Sequence, residues 1–150
     1  MLHSAIILDE DVECGRMAGD VLSDSYFVRV TNNPDVAFGL MSKNDFDVLI
    51  VEWSSGTKAL IELAVRVQRD LLVVVTSRSR PMVGQIVECF RVGADDFIRT
   101  PYHPSELRAR VDRLTRAPKG SGRHTLPTVG VPPVLQPVPD WDTTLVASAR

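Results

Sequence analysis

The chain has 150 residues, is 44% hydrophobic and carries a formal net charge of −2. That length can bury one sizeable core. Acids outnumber bases over residues 1–116, which excludes a basic nucleic-acid footprint on this chain alone, and no apolar run reaches membrane-spanning length.

Taken in order, the first apolar run, Ala5–Leu8 (AIIL), predicts a strand that ends in Asp9-Glu10-Asp11. Cys14, Met17, Ala18, Val21 and Leu22 then form a helical stripe. Tyr26–Val30 reads as a second strand. The stretch NNPDVAFGLM reads as a short helix with Asn33 as its cap and Pro34 at its first position. Val48–Val51 is the third strand and ends in Glu52. A third helix carries Leu60, Leu63, Ala64 and Val67. The fourth strand, Leu71–Val75, ends in Thr76. The fourth helix carries Val83, Ile86, Val87 and Phe90, with Pro81 opening it, Gly93 closing it and Cys89 at its surface or edge. Asp96–Ile98 is the fifth strand, with Thr100 just beyond. The last helix carries Leu107, Val111 and Leu114, capped by Ser105.

Three of the five strand runs are continuous rather than alternating, the mark of strands covered on both faces. Five strand–helix units predict an α/β fold with a doubly wound, five-stranded parallel sheet. After Thr115 the pattern stops. Residues 117–150 hold six of the ten prolines and read as a linker or tail, ending in the β-prone stretch WDTTLVASAR. Cys14 and Cys89 have no metal-type spacing, so reduced thiols of a cytoplasmic protein are expected. The opening MLHSAIILDEDVE lacks the basic region of a signal peptide.

Ligands of an open parallel sheet bind beyond the carboxyl ends of its strands, at the switch in strand order. If the first and third strands are neighbours, Asp9, Glu10 and Glu52 converge there. A carboxylate cluster beside the Thr76 hydroxyl suits a divalent cation or phosphoryl chemistry.

From Ile6 to about Arg116 the sequence resembles the receiver domain of two-component response regulators, a flavodoxin-like (βα)5 fold. The resemblance rests on IILDED, DVLIVEW, VVVTS and, most specifically, GADDFIRTPYHPSELRARVDRL. The ending SELRARVDRLTR is most similar to receivers of winged-helix transcription factors. In that class a linker leads to a DNA-binding domain, so residues 1–116 would be the receiver-like domain and 117–150 the linker. The resemblance places Asp9 and Glu10 at the metal-holding acidic pair. Glu52 falls at the phosphoacceptor aspartate, and Thr76 and Phe97 at the hydroxyl and aromatic switch. Thr100 stands where the family has a lysine. It also implies a cis bond before Pro101.

Two chemical residues of the family are thus replaced, which marks an atypical pseudo-receiver. Glutamate is one methylene longer than aspartate, and phosphoryl transfer depends on positioning, so Glu52 reads as a placeholder. A hydrogen bond from Thr76 to Glu52 would partly mimic a phosphoryl group. Three carboxylates without a lysine need a counter-charge. Arg78, in the loop after the fourth strand, is preferred; Arg99 is the second candidate and is expected to point away. No metal and no cofactor are expected.

By resemblance, Ile86, Val87, Phe90, Asp96, Glu106 and Arg110 lie on a homodimer face made by the fourth helix, fifth strand and fifth helix. The favoured reading is a non-enzymatic, phosphorylation-independent receiver that dimerises and regulates an attached winged-helix output domain. DNA would be bound only through that domain, and neither a membrane nor a cognate sensor kinase is an expected partner. The alternatives are a stand-alone protein-interaction module and a conventional receiver weakly phosphorylated at Glu52. A small α/β enzyme is disfavoured, because no glycine-rich phosphate loop or nucleophile–base pair is present.

Overall fold

The computed structural model describes residues 2–78 and 80–117. Apart from Ala117, the linker expected at 117–150 and its β-prone end lie outside the described residues. Among the described residues, five strands alternate with five helices: β1 (His3–Leu8), α1 (Val12–Leu22), β2 (Tyr26–Thr31), α2 (Pro34–Met41), β3 (Val48–Glu52), α3 (Ser55–Val67), β4 (Leu72–Ser77), α4 (Val83–Val92), β5 (Asp96–Arg99) and α5 (Pro104–Arg116). All strand pairs are parallel and the order is β2-β1-β3-β4-β5. This is the doubly wound, flavodoxin-like arrangement that the sequence predicts. The order reverses at β1, which opens a crevice beyond the ends of β1 and β3.

Strand alternation divides the core between the two faces of the sheet. Ile6, Leu8, Leu49, Val51, Val73 and Val75 pack beneath α2 and α3. Ala5, Ile7, Val48, Ile50, Val74 and Ile98 face α1 and α5. Most of these side chains are fully buried, which explains why β1, β3 and β4 read as unbroken apolar runs. The last turn of α4 is closed by Gly93 at φ 124°, where a Cβ would also lie 3.0 Å from Val65 Cγ1.

Three local expectations are corrected. The N-cap of α4 is Met82, one residue beyond Pro81, so Pro81 precedes the helix rather than opening it. The N-cap of α5 is His103, whose Nδ1 accepts from the Ser105 N–H at 3.2 Å, and Ser105 lies inside the helix. Pro104 takes the first helical position, where its fixed φ suits the helix and its missing N–H costs nothing. Cys89 is fully buried, not at the surface; it is the buried residue of α4 and packs with Ala94 on the α2–α3 side of the sheet. No helix among the described residues is long and apolar enough to cross a membrane.

Candidate functional site

The crevice between the ends of β1 and β3 holds a charged cluster centred on one guanidinium. Asp9, immediately after β1, is buried at 5% exposure. Its Oδ1 accepts from the Asp11 N–H at 2.8 Å and from Arg78 Nη2. Asp11 is the N-cap of α1: its Oδ1 accepts from the N–H groups of Glu13 and Cys14, and its Oδ2 from Arg78 Nη1 at 3.3 Å. Glu52, the last residue of β3, pairs through Oε1 with Arg78 Nε at 3.1 Å. Its Oε2 accepts the Glu10 N–H at 3.3 Å. Every guanidinium nitrogen of Arg78 therefore faces a different carboxylate. The fork geometry of arginine allows this; an ammonium group would have only a point charge to offer.

Asp9, Glu52 and Arg78 thus meet. Glu10 contributes its main-chain N–H, and its side chain is exposed. Asp11 was not among the residues singled out from the sequence as pocket members. Its signal was the helix-cap position two residues after Asp9, and its second oxygen remains free for the arginine. The Glu52 carboxylate bonds to Arg78 and Glu10 rather than to Thr76, so the expected Thr76–Glu52 hydrogen bond is not formed. Thr76 is buried beside Glu52 in the β3–β4 register. Phe97 is half-buried against the α2–α3 side of the core. The Thr100–Pro101 bond is cis, as the resemblance implies. Thr100 Oγ1 is buried without a hydrogen-bond partner, so it contributes nothing to the charge balance of the cluster. Arg99 is exposed and has no carboxylate partner among the described residues.

Burial raises the Glu52 carboxyl above its ordinary value, the Asp9 charge raises it further, and Arg78 opposes both. Main-chain N–H donation, first from Cys14, holds Asp11 below its ordinary value. Burial, then the charges of Asp11 and Asp9, push the Cys14 thiol up, so it stays protonated beside the cluster. Receiver-like folds use such acids to hold a divalent cation. Here the residues do not fit one, because Arg78 already supplies the positive charge between the carboxylates. Among the described residues, no group of three His, Cys, Asp or Glu side chains could hold a metal ion.

Of the residues expected on the dimer face, the three charged ones, Asp96, Glu106 and Arg110, form a second cluster. Arg110 Nη1 contacts both oxygens of Asp96 at 3.1 Å, and Arg110 Nε and Nη2 reach Glu106 at 3.1 and 3.0 Å. On α4, Val87 and Phe90 are exposed, as are Met82 and Val83, whereas Ile86 is half-buried.

The fold is that of the CheY-like receiver structures. No protein-family model matches the chain. It is 27% identical over 116 residues to the phosphate regulon transcriptional regulatory protein PhoB of Pseudomonas aeruginosa, covering 74% of this chain and 51% of that protein. It is 23% identical over 118 residues to the transcriptional regulatory protein RprY of Bacteroides fragilis, covering 77% of this chain and 50% of that protein. The chain therefore spans about half the length of the curated relatives it matches. Among solved structures it resembles HP1043, an orphan response regulator of H. pylori, with a TM-score of 0.71 at 22% identity over 76% of this chain and 97% of that one. Both relatives are transcriptional regulatory proteins, and the structural neighbour shares the receiver fold.

Proposed function

We propose that this chain is an atypical receiver whose pocket works without phosphorylation, and that it dimerises to regulate an attached output domain. The observation that carries the reading is the Arg78 guanidinium held between Asp9, Asp11 and Glu52. Phosphoryl transfer to a carboxylate needs a cation bridging nucleophile and donor, and a second cation on the transferred group. In this pocket Arg78 stands among the acids, Glu52 is already ion-paired, and Thr100 offers no charge. Glu52 is thus a structural counter-ion rather than a nucleophile. The transcriptional relatives, each about twice the length of the match, favour an output role in transcription, with DNA contacted by a domain outside this chain.

The proposed assembly face is the exposed stripe Val83, Val87 and Phe90, at i, i+4 and i+7 of α4. The neighbouring charges Asp96, Glu106 and Arg110 satisfy one another within one protomer. Association then draws mainly on apolar burial and needs no phosphoryl-triggered rearrangement. Sedimentation of the full chain tests this. The same dimer fraction is expected with and without acetyl phosphate, and Phe90→Asp is expected to weaken the dimer by about a hundredfold or more. A chain that is monomeric at high micromolar concentration, or that dimerises only with the phosphoryl donor, would overturn the proposal.

A further inference from the structure

The α4 helix is weakly held by its own contacts. Cys89 is its buried residue, Val92 packs partly buried against the same core, and Val83, Val87 and Phe90 face outward. Its N-cap, Met82, has no oxygen to offer the first-turn N–H groups, although Gln85 Oε1 accepts the Met82 N–H at 3.0 Å. Lys58 reaches Glu88 from α3, but both side chains are more than two-fifths exposed, so water screens that pair. Upstream the situation differs. β4 ends at Ser77, and the very next residue, Arg78, is clamped by three carboxylates from two other strand ends. Met82 follows four residues later, a span of at most about 14 Å of extended chain.

We propose that Arg78 is a positioning residue for α4: its ion cluster anchors the chain just before the helix and so keeps the exposed α4 stripe in one place. This deepens the functional reading above and rests on it, because an arginine that never leaves the acids gives the output face a single fixed setting. In a two-state receiver, the pocket would bias α4 only when the acceptor is modified. Here the bias is covalently linked to the pocket through the main chain and is permanent.

Hydrogen exchange of the full chain, read by mass spectrometry on peptides covering α4 and α5, tests the proposal. In Arg78→Gln, the α4 amides are expected to exchange about tenfold faster or more over and above whatever rise the lost global stability gives α5. Arg78→Lys, which keeps the charge but loses the fork, is expected to fall between Arg78→Gln and the native chain. Asp11→Asn is the companion variant. It keeps an N-cap oxygen for α1 while removing one charge from the clamp, and it is expected to give a smaller rise confined to α4. Native-like α4 exchange in a folded Arg78→Gln would overturn the proposal. If Arg78→Gln unfolds throughout, Asp11→Asn decides: a rise spread evenly over all helices, or none, overturns it. Phosphoryl incorporation is measured separately, so the tether can fail while the phosphorylation-independent reading stands, and the reverse.

Discussion

Arg110→Glu is expected to lower the stability of the folded domain by about 2–4 kcal/mol. Asp96 opens β5 at only 8% exposure, and a carboxylate so placed needs a partner. Arg110 supplies it through two contacts at 3.1 Å and extends the pair to Glu106 on the preceding turn of α5. Arg113 also approaches Asp96, at 3.4 Å, but its side chain is 67% exposed and is a weak substitute. Charge reversal would set a carboxylate against two others where a cation had satisfied both. The Arg110 side chain is itself 37% exposed, which keeps the expected loss below that of a fully buried pair. Urea unfolding at several protein concentrations measures the effect and separates it from dimer loss. Arg110→Gln, which adds no like charge, should cost less than the reversal. An unchanged midpoint for Arg110→Glu would show that these pairs contribute nothing to the fold.

Arg78→Gln is the second large effect, expected to cost about 1–3 kcal/mol near neutral pH. The variant leaves Asp9, Asp11 and Glu52 without their shared cation. Glu52 sets the sign of the pH dependence. Burial and the Asp9 charge raise its folded-state value above the ordinary 4.5, and Arg78 opposes them. A carboxyl whose folded-state value is raised favours the folded state fully below 4.5, and that contribution is lost as pH rises through the raised value. Removing Arg78 raises the value further and widens the window of loss. The gap between native and variant should therefore be largest near neutral pH and shrink as pH falls toward 4.5. Thermal melts across that range check it. A gap that stays constant, or widens on acidification, would mean that Arg78 does not neutralise Glu52.

The strands were legible in the sequence because a doubly covered parallel sheet writes itself as short apolar runs. AIIL and VLIV are buried from end to end, and strand bounds shifted by only a residue or two. Helix starts were less legible. Met82 and His103 are poor capping residues by type, and their places follow from the prolines beside them rather than from any oxygen-bearing signal. Cys89 looked peripheral because α4 has so thin an apolar stripe, yet the helix turns that one side chain inward. The meeting of Asp9 with Glu52 followed from strand order, and strand order followed from topology rules rather than from the residues. Arg78 could be nominated from charge balance alone. Its simultaneous reach to three carboxylates, and the part played by Asp11, depend on side-chain directions that a linear pattern does not contain.

The most direct measurement is phosphoryl incorporation by the native full chain, followed by intact-mass spectrometry after incubation with acetyl phosphate and Mg²⁺. No phosphoryl adduct is expected, and hydrogen exchange in α4 and β5 should be the same with and without the donor. A stable adduct that maps to Glu52, accompanied by a change in α4 exchange or in the dimer fraction, would contradict the central claim and make the protein a conventional switch with glutamate as its acceptor.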